Sequence, residues 1–255
     1  MHTGTTFSPL IGWSGKVSML QRKSGHFVIL FCLGVFGVRA DAGSPTANLE
    51  LVSRASLCVT EGAIDELPGA QLSVSVPKMR AYLNAFTPQD VETRFTYLGS
   101  TENEARLGSG ELRRQFGLKL RAQDACNLVY AMWRIEPESR LVVSVKSNAG
   151  QHSSAECGNR GYRNINAGHS KPVPLLQPGA THSLRAVMKG DELKVFADNT
   201  LVWEGSLGPE VLSFDGPVGI RSDNARLRLE LRAPLPPNSQ QARAPGCRTG
   251  PGESE

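Results

Sequence analysis

The chain has 255 residues, 40% of them apolar and 20% charged, a balance that supplies a substantial core and excludes a wholly disordered protein. That length fits one large β domain or two small ones. The 28 basic and 24 acidic side chains leave a formal net charge of +4, and where those charges lie along the chain decides which partners remain open.

Residues 27–38, "FVILFCLGVFGV", form an apolar run of the length of a signal h-region, too short to span a bilayer. Arg22 and Lys23 precede it, and Ala40-Asp41-Ala42 follows as a small-x-small cleavage site. Residues 1–42 are therefore read as a signal region, with a secreted mature chain that keeps no transmembrane segment. Residues 1–18 are neither basic nor apolar, whereas Met19 opens a compact signal, so translation is expected to start there. Cys32 lies inside the apolar run behind Phe31, which argues against a lipid anchor. Without residues 1–42 the balance falls to 24 basic and 23 acidic side chains. A nucleic-acid partner wants a basic stripe; none remains, and nucleic acid is set aside.

Four cysteines stay in the mature chain: Cys58, Cys126, Cys157 and Cys247. An even number in an exported chain reads as disulfides, with three possible connectivities. The strands and turn over 127–148 can bring Cys126 and Cys157 to one edge, so that pair is expected, and Cys58 with Cys247 remains. No CxxC pair occurs and His152, His169 and His182 are scattered, so neither a structural zinc nor another cofactor is expected.

Residues 43–48 read as a short linker, and from 49 to 232 the dominant period is two. "KMRAYLNAF" (78–86) is the one segment with a helical period. "VETRFTYLG" (91–99) is a strand. "RRQFGLKLRAQ" places Phe116, Leu118 and Leu120 on one face, with Gln115, Lys119 and Arg121 on the other. "NLVYAMWRI" (127–135) is apolar on both faces, the mark of a central strand. "LVVSVK" (141–146) follows, then "HSLRAVMKG" with Leu184, Ala186 and Met188 aligned. "GDELKVFADNTLVWEG" (190–205) reads as a hairpin turned by Asp198 and Asn199, with Trp203 as a core filler. "ARLRLELR" closes the series with Leu227, Leu229 and Leu231 on one face. From 233 the chain is rich in Pro, Gly and polar residues and reads as a flexible tail. Many strands, regular turns and scarcely a helix predict an all-β, two-sheet antiparallel β-sandwich.

From about 116 to 231 the segments "FGLKLRAQDACNLVYAMWRI", "HSLRAVMKGDELKVFADNTLVWEG" and "FDGPVGIRSDNARLRLEL" resemble the concanavalin A-like, or laminin G-like, jelly roll. That resemblance implies the jelly-roll fold. It leaves function open, because the scaffold hosts lectins, glycan-binding modules, adhesive domains, hydrolases and lyases. Jelly-roll glucanases carry Glu-x-Asp-x-x-Glu; the nearest stretch, "EGAIDE" with Glu61, Asp65 and Glu66, has the wrong spacing. Serine-hydrolase, zinc-protease and phosphate-loop motifs are missing. Asp223 and Asn224 in "RSDNA" offer oxygen ligands for a cation, but their residue types suit a tight turn better.

"CNLVYAMWRIEPESRLVVSVKSN" groups residue types that recognise sugars, an aromatic face with amide and cationic donors. Leu128, Tyr130 and Met132 are taken as the core set of that strand. Asn127, Val129, Ala131 and Trp133 then face outward, and the expected ligand contacts are Trp133, Asn127 and Lys146. The competing assignment puts Trp133 in the core and makes Lys146 a solvated edge charge. The reading that follows is a secreted binding module for glycans or a cell-envelope or matrix component. A carbohydrate-active hydrolase with acids from separate strands, and an adhesive or structural surface protein, are the alternatives.

Overall fold

The segment Ala225–Ala233 buries Ala225, Leu227, Leu229, Leu231 and Ala233 and turns Arg226 and Arg228 to solvent. Such alternation gives a strand one face for a core and one for water, and it recurs through the chain. The structure, a computed structural model, describes residues 48–83, 88–234 and Cys247. The signal region over 1–42, with Met19 and Cys32, lies outside the described residues. So do the linker, apart from Asn48, and the tail, apart from Ala233, Pro234 and Cys247.

Numbered along the chain, one sheet has nine strands among the described residues. These are β1 (Glu50–Leu51), β3 (Asp65–Leu67), β4 (Gln71–Val74), β6 (Asp90–Ser100), β11 (His169–Ser170), β12 (Thr181–Lys189), β13 (Glu192–Ala197), β14 (Thr200–Ser206) and β16 (Ala225–Ala233). The second sheet has seven: β2 (Leu57–Glu61), β5 (Lys78–Leu83), β7 (Arg114–Leu120), β8 (Leu128–Glu136), β9 (Arg140–Lys146), β10 (Tyr162–Asn164) and β15 (Gly219–Asp223). The first runs β11-β14-β13-β12-β6-β16-β4-β3, with β1 added on β16, and the second β10-β9-β8-β7-β15-β5-β2. The pairings within both sheets are antiparallel. The domain is thus an all-β sandwich, and its two sheets fit the concanavalin A-like architecture that the resemblance implied.

The core lies between the sheets. Phe95 of β6 meets Phe116 of β7 with ring centroids 4.9 Å apart, and its ring stands edge-on to Trp133 of β8 at 5.8 Å. Trp203 of β14 is buried in the same cluster, as expected for the hairpin at 190–205. That hairpin turns at Asp198 and Asn199, both at positive φ (48° and 61°), the backbone a two-residue turn needs to match strand twist.

The helical period expected over 78–86 does not give a helix in its described part: Lys78–Leu83 is β5, paired with β15 and β2, and 84–86 lie outside the described residues. "KMRAYL" satisfies both periods over six residues. The sheet prevails because Met79, Ala81 and Leu83 enter the core together when the segment is extended.

Both expected disulfides are present. Cys58 of β2 is joined to Cys247, and Cys126, just before β8, to Cys157 at the end of a single helical turn, α1 (Ser154–Cys157). The second bond closes a loop with a sequence separation of 31 residues. Replacing Cys126 and Cys157 by serine is expected to lower stability by about 3 kcal/mol. Equilibrium urea unfolding of the double variant checks this; an unchanged midpoint would show that the loop is held without the bond.

Candidate ligand-binding cleft

Strand β8 has no polar face among Leu128–Trp133, so packing on its two sides decides which residues meet the core. Val129, Ala131 and Trp133 point between the sheets, and Leu128, Tyr130 and Met132 point outward, where they form a small cluster with Ala122. This reverses the assignment made from sequence. Trp133 is 0% exposed, flanked by Phe95 and by His182 at 5.5 Å, and cannot meet a ligand at the surface.

The outward face of the seven-stranded sheet carries a cleft of about 560 Å³. Cross-strand register sets its floor. Arg80, Arg221, Gly117, Met132 and Val142 lie in one row across β5, β15, β7, β8 and β9. A neighbouring row runs Tyr130, Ser144 and Asn164, and Lys146 pairs with Tyr162 at the β9–β10 edge. At Gly117 an added Cβ would come within 2.2 Å of the Ala131 carbonyl oxygen, so the floor admits no side chain there.

Two loops make the walls. The first, between β6 and β7, contributes Leu107, Gly108, Ser109, Glu111 and Arg113. The Asn224 amide holds it by donating to Ala105 O (2.8 Å) and Arg113 O (2.9 Å), while Asn224 Oδ1 accepts from Ala105 N–H (2.8 Å). Asn224 sits at φ 54°, in the left-handed region, so the "RSDNA" asparagine works as a corner and loop anchor. The second wall, between β9 and β10, brings Ser154, Gly158 and Asn159 and is fastened by the Cys126–Cys157 bond. The walls meet: a Cβ on Gly108 would lie 2.8 Å from Asn159 Nδ2.

Asn127 belongs to this scaffolding. Its amide donates to Gln151 O (2.8 Å) and to the Asp124 carboxylate (3.0 Å), and its Oδ1 accepts from Asn148 N–H (2.9 Å). It ties the start of β8 to the second wall and does not line the cleft. Lys146 does line it, but as a buried cation at 2% exposure, donating to Ala125 O (2.8 Å) and standing 5.1 Å from the Tyr162 ring centroid. Of the three expected contacts, the structure places Lys146 in the cleft, Asn127 behind its wall and Trp133 in the core. Sequence reasoning missed the two tyrosines. Their rings are 24° from parallel with centroids 6.0 Å apart, and Arg221 stands 5.0 Å from the Tyr130 centroid.

The floor is electrostatically organised. Asp223 is 0% exposed and accepts from Arg80 Nη2 (2.6 Å), Arg221 Nε (2.9 Å) and Gln115 Nε2 (2.6 Å). Burial alone would raise its pKa; the Arg221 and Arg80 guanidinium charges and the hydrogen bonds outweigh that and hold it down at about 2. Arg134 behaves in the opposite sense. Burial pushes its pKa down to about 10, with Arg113 and Arg140 adding repulsion, and its Nε is buried without a hydrogen-bond partner. Gln115 and Lys119, read as solvent-facing, do point away from the core but are buried on this face. Among the described residues no group of three or more His, Cys, Asp or Glu side chains converges to hold a metal, and no helix is long and apolar enough to cross a membrane.

No protein-family profile matches the chain, and no curated protein sequence does. Solved structures do match. The carbohydrate-binding module CBM66 from Bacillus subtilis is 16% identical, over 71% of this chain and 96% of its own, with a TM-score of 0.48. The carbohydrate recognition domain of Emp46p in its metal-free form is 10% identical, over 69% and 88%, with a TM-score of 0.43. Domain 4 of AbnA, a GH43 extracellular arabinanase from Geobacillus stearothermophilus solved with arabinotriose, is 11% identical, over 77% and 98%, with a TM-score of 0.40. No ligand or activity is carried from them to this chain.

Proposed function

We propose that the domain is a carbohydrate-binding module that works outside the cytoplasm. The observation that carries this reading is the Tyr162 ring, stacked on the buried Tyr130, in a cleft whose lining also carries amides, hydroxyls and cations. A sugar ring offers an apolar face to an aromatic plane and hydroxyls to planar donors around it. Tyr162 is 41% exposed and so has ring surface to offer, with Asn164, Ser144 and Asn159 nearby on the same lining. The cleft volume falls within the range of small-molecule sites. The two disulfides agree with an oxidising compartment.

Hydrolysis of a glycoside calls for two carboxylates facing the scissile bond. Glu111 is the one carboxylate among the described residues lining this cleft, and it is ion-paired with Arg113. Binding is therefore favoured over turnover. Affinity electrophoresis across neutral and acidic polysaccharides, with a reducing-sugar assay on the same set, tests the reading. Retardation without sugar release is expected. Tyr162→Ala should weaken binding about tenfold, roughly 1.4 kcal/mol, at an unchanged melting temperature. Release of reducing sugar would move the protein to the hydrolases, and no retardation by any polysaccharide would overturn glycan binding.

A further inference from the structure

Basic side chains concentrate at this cleft. Lys78, Arg80, Arg113, Arg134, Lys146 and Arg221 all line the one cleft. Against them stand Glu111 on the wall, Asp223 under the floor and Glu61, whose Oε2 is 3.8 Å from Arg80 Nε. Glu138 also acts on Arg134, but the lining itself carries six cations against one carboxylate, which leaves the cleft positive. Low-dielectric walls concentrate such a field and strengthen its pull on an anion.

We infer that the cleft selects saccharides bearing anionic groups, carboxylate or sulfate, with Arg134 among the cations that receive them. The inference rests on the glycan-binding reading and names the substrate class of the same site. Arg134 lies across from Gln115 on β7, at the end of the floor away from Lys146. It forms no ion pair among the described residues, and its buried Nε has no hydrogen-bond partner. Its lowered pKa comes first from burial, with the Arg113 and Arg140 charges adding to it more than Glu111 and Glu138 offset. An oxyanion arriving in the cleft supplies the ion-pair partner that Arg134 does not have. Arg80 and Arg221 meet Asp223 on the floor, and Lys146 marks the tyrosine end. Cations are thus distributed along the cleft's length, as repeated anionic groups on a saccharide chain would require.

The experiment compares polymers that differ in charge alone: polygalacturonate against its methyl ester, and dextran sulfate against dextran, with single-stranded DNA as a polyanion lacking sugar-ring recognition by stacking. Binding to the full chain is read by affinity electrophoresis and calorimetric titration. The charged member of at least one pair should bind about tenfold or more tightly than its neutral partner, and added salt should weaken it. The first pair winning assigns carboxylate, the second sulfate. Arg134→Gln should lower the ratio of charged to neutral binding about tenfold, and Lys78→Gln serves as a second variant should the first fail to fold. Equal binding of charged and neutral partners overturns the inference but leaves glycan binding standing. A preference untouched in a folded variant, or DNA bound more tightly than either polysaccharide, also overturns it. Failure to bind any of the polysaccharides removes both readings.

Discussion

Replacing Trp133 by alanine is expected to lower stability by about 3–5 kcal/mol, the cost of a large cavity in a close-packed core. The indole is fully enclosed between the sheets. Its neighbours are Phe95, His182 and, by register, Phe116 on the next strand. Trp133→Phe should cost much less, because it keeps most of the volume and removes an Nε1–H that is buried without a partner. Guanidinium unfolding of both variants checks the order. A loss below about 1 kcal/mol for alanine would place the residue outside the core.

The second large effect is expected at Asp223. Asp223→Ala leaves the nearly enclosed Arg80 and its neighbour Arg221 without the carboxylate that balances them. Removing one partner of a buried ion pair costs about 3–5 kcal/mol. The pH dependence has a definite sign. In the folded domain the Asp223 pKa is about 2, below its ordinary 3.8, so its contribution is complete above 3.8 and is lost as pH falls through about 2. The stability gap between wild type and Asp223→Ala should therefore narrow on acidification below pH 3.8. A gap that widened there would contradict the ion-paired assignment. Pairing the change with Arg80→Met should recover part of the loss, since the more deeply buried of the two guanidiniums is then gone.

What was legible in the sequence follows from what period two can and cannot encode. The β7 run "FGLKL" alternates cleanly, and Phe116, Leu118 and Leu120 are core residues as read. Strand β8 alternates between two apolar sets, so its own pattern gives no parity. The missing information was in the pairing: Phe116 lies beside Trp133 across β7 and β8, which puts the indole on the core side. The cleft's cations were visible as polar positions in strands, and a polar position in a strand ordinarily faces water. That Arg80 and Lys146 are instead enclosed depends on neighbouring side chains and on loops distant in sequence. The Cys126–Cys157 pairing was legible because the chain between the two cysteines folds back on itself locally. Asn127 was singled out for its chemistry, but its amide is occupied by backbone and by Asp124.

The separation of aromatic types between the two faces of the second sheet has an optical consequence. Trp133 and Trp203 sit in the inter-sheet core, whereas the cleft carries Tyr130 and Tyr162. Indole emission from this domain therefore reports its state of folding, since neither tryptophan is itself on the cleft lining. A ligand against the Tyr162 ring touches neither indole, so it changes that emission only if the core itself responds. An indole signal that holds steady while a ligand binds would therefore mean that the core does not move to receive it.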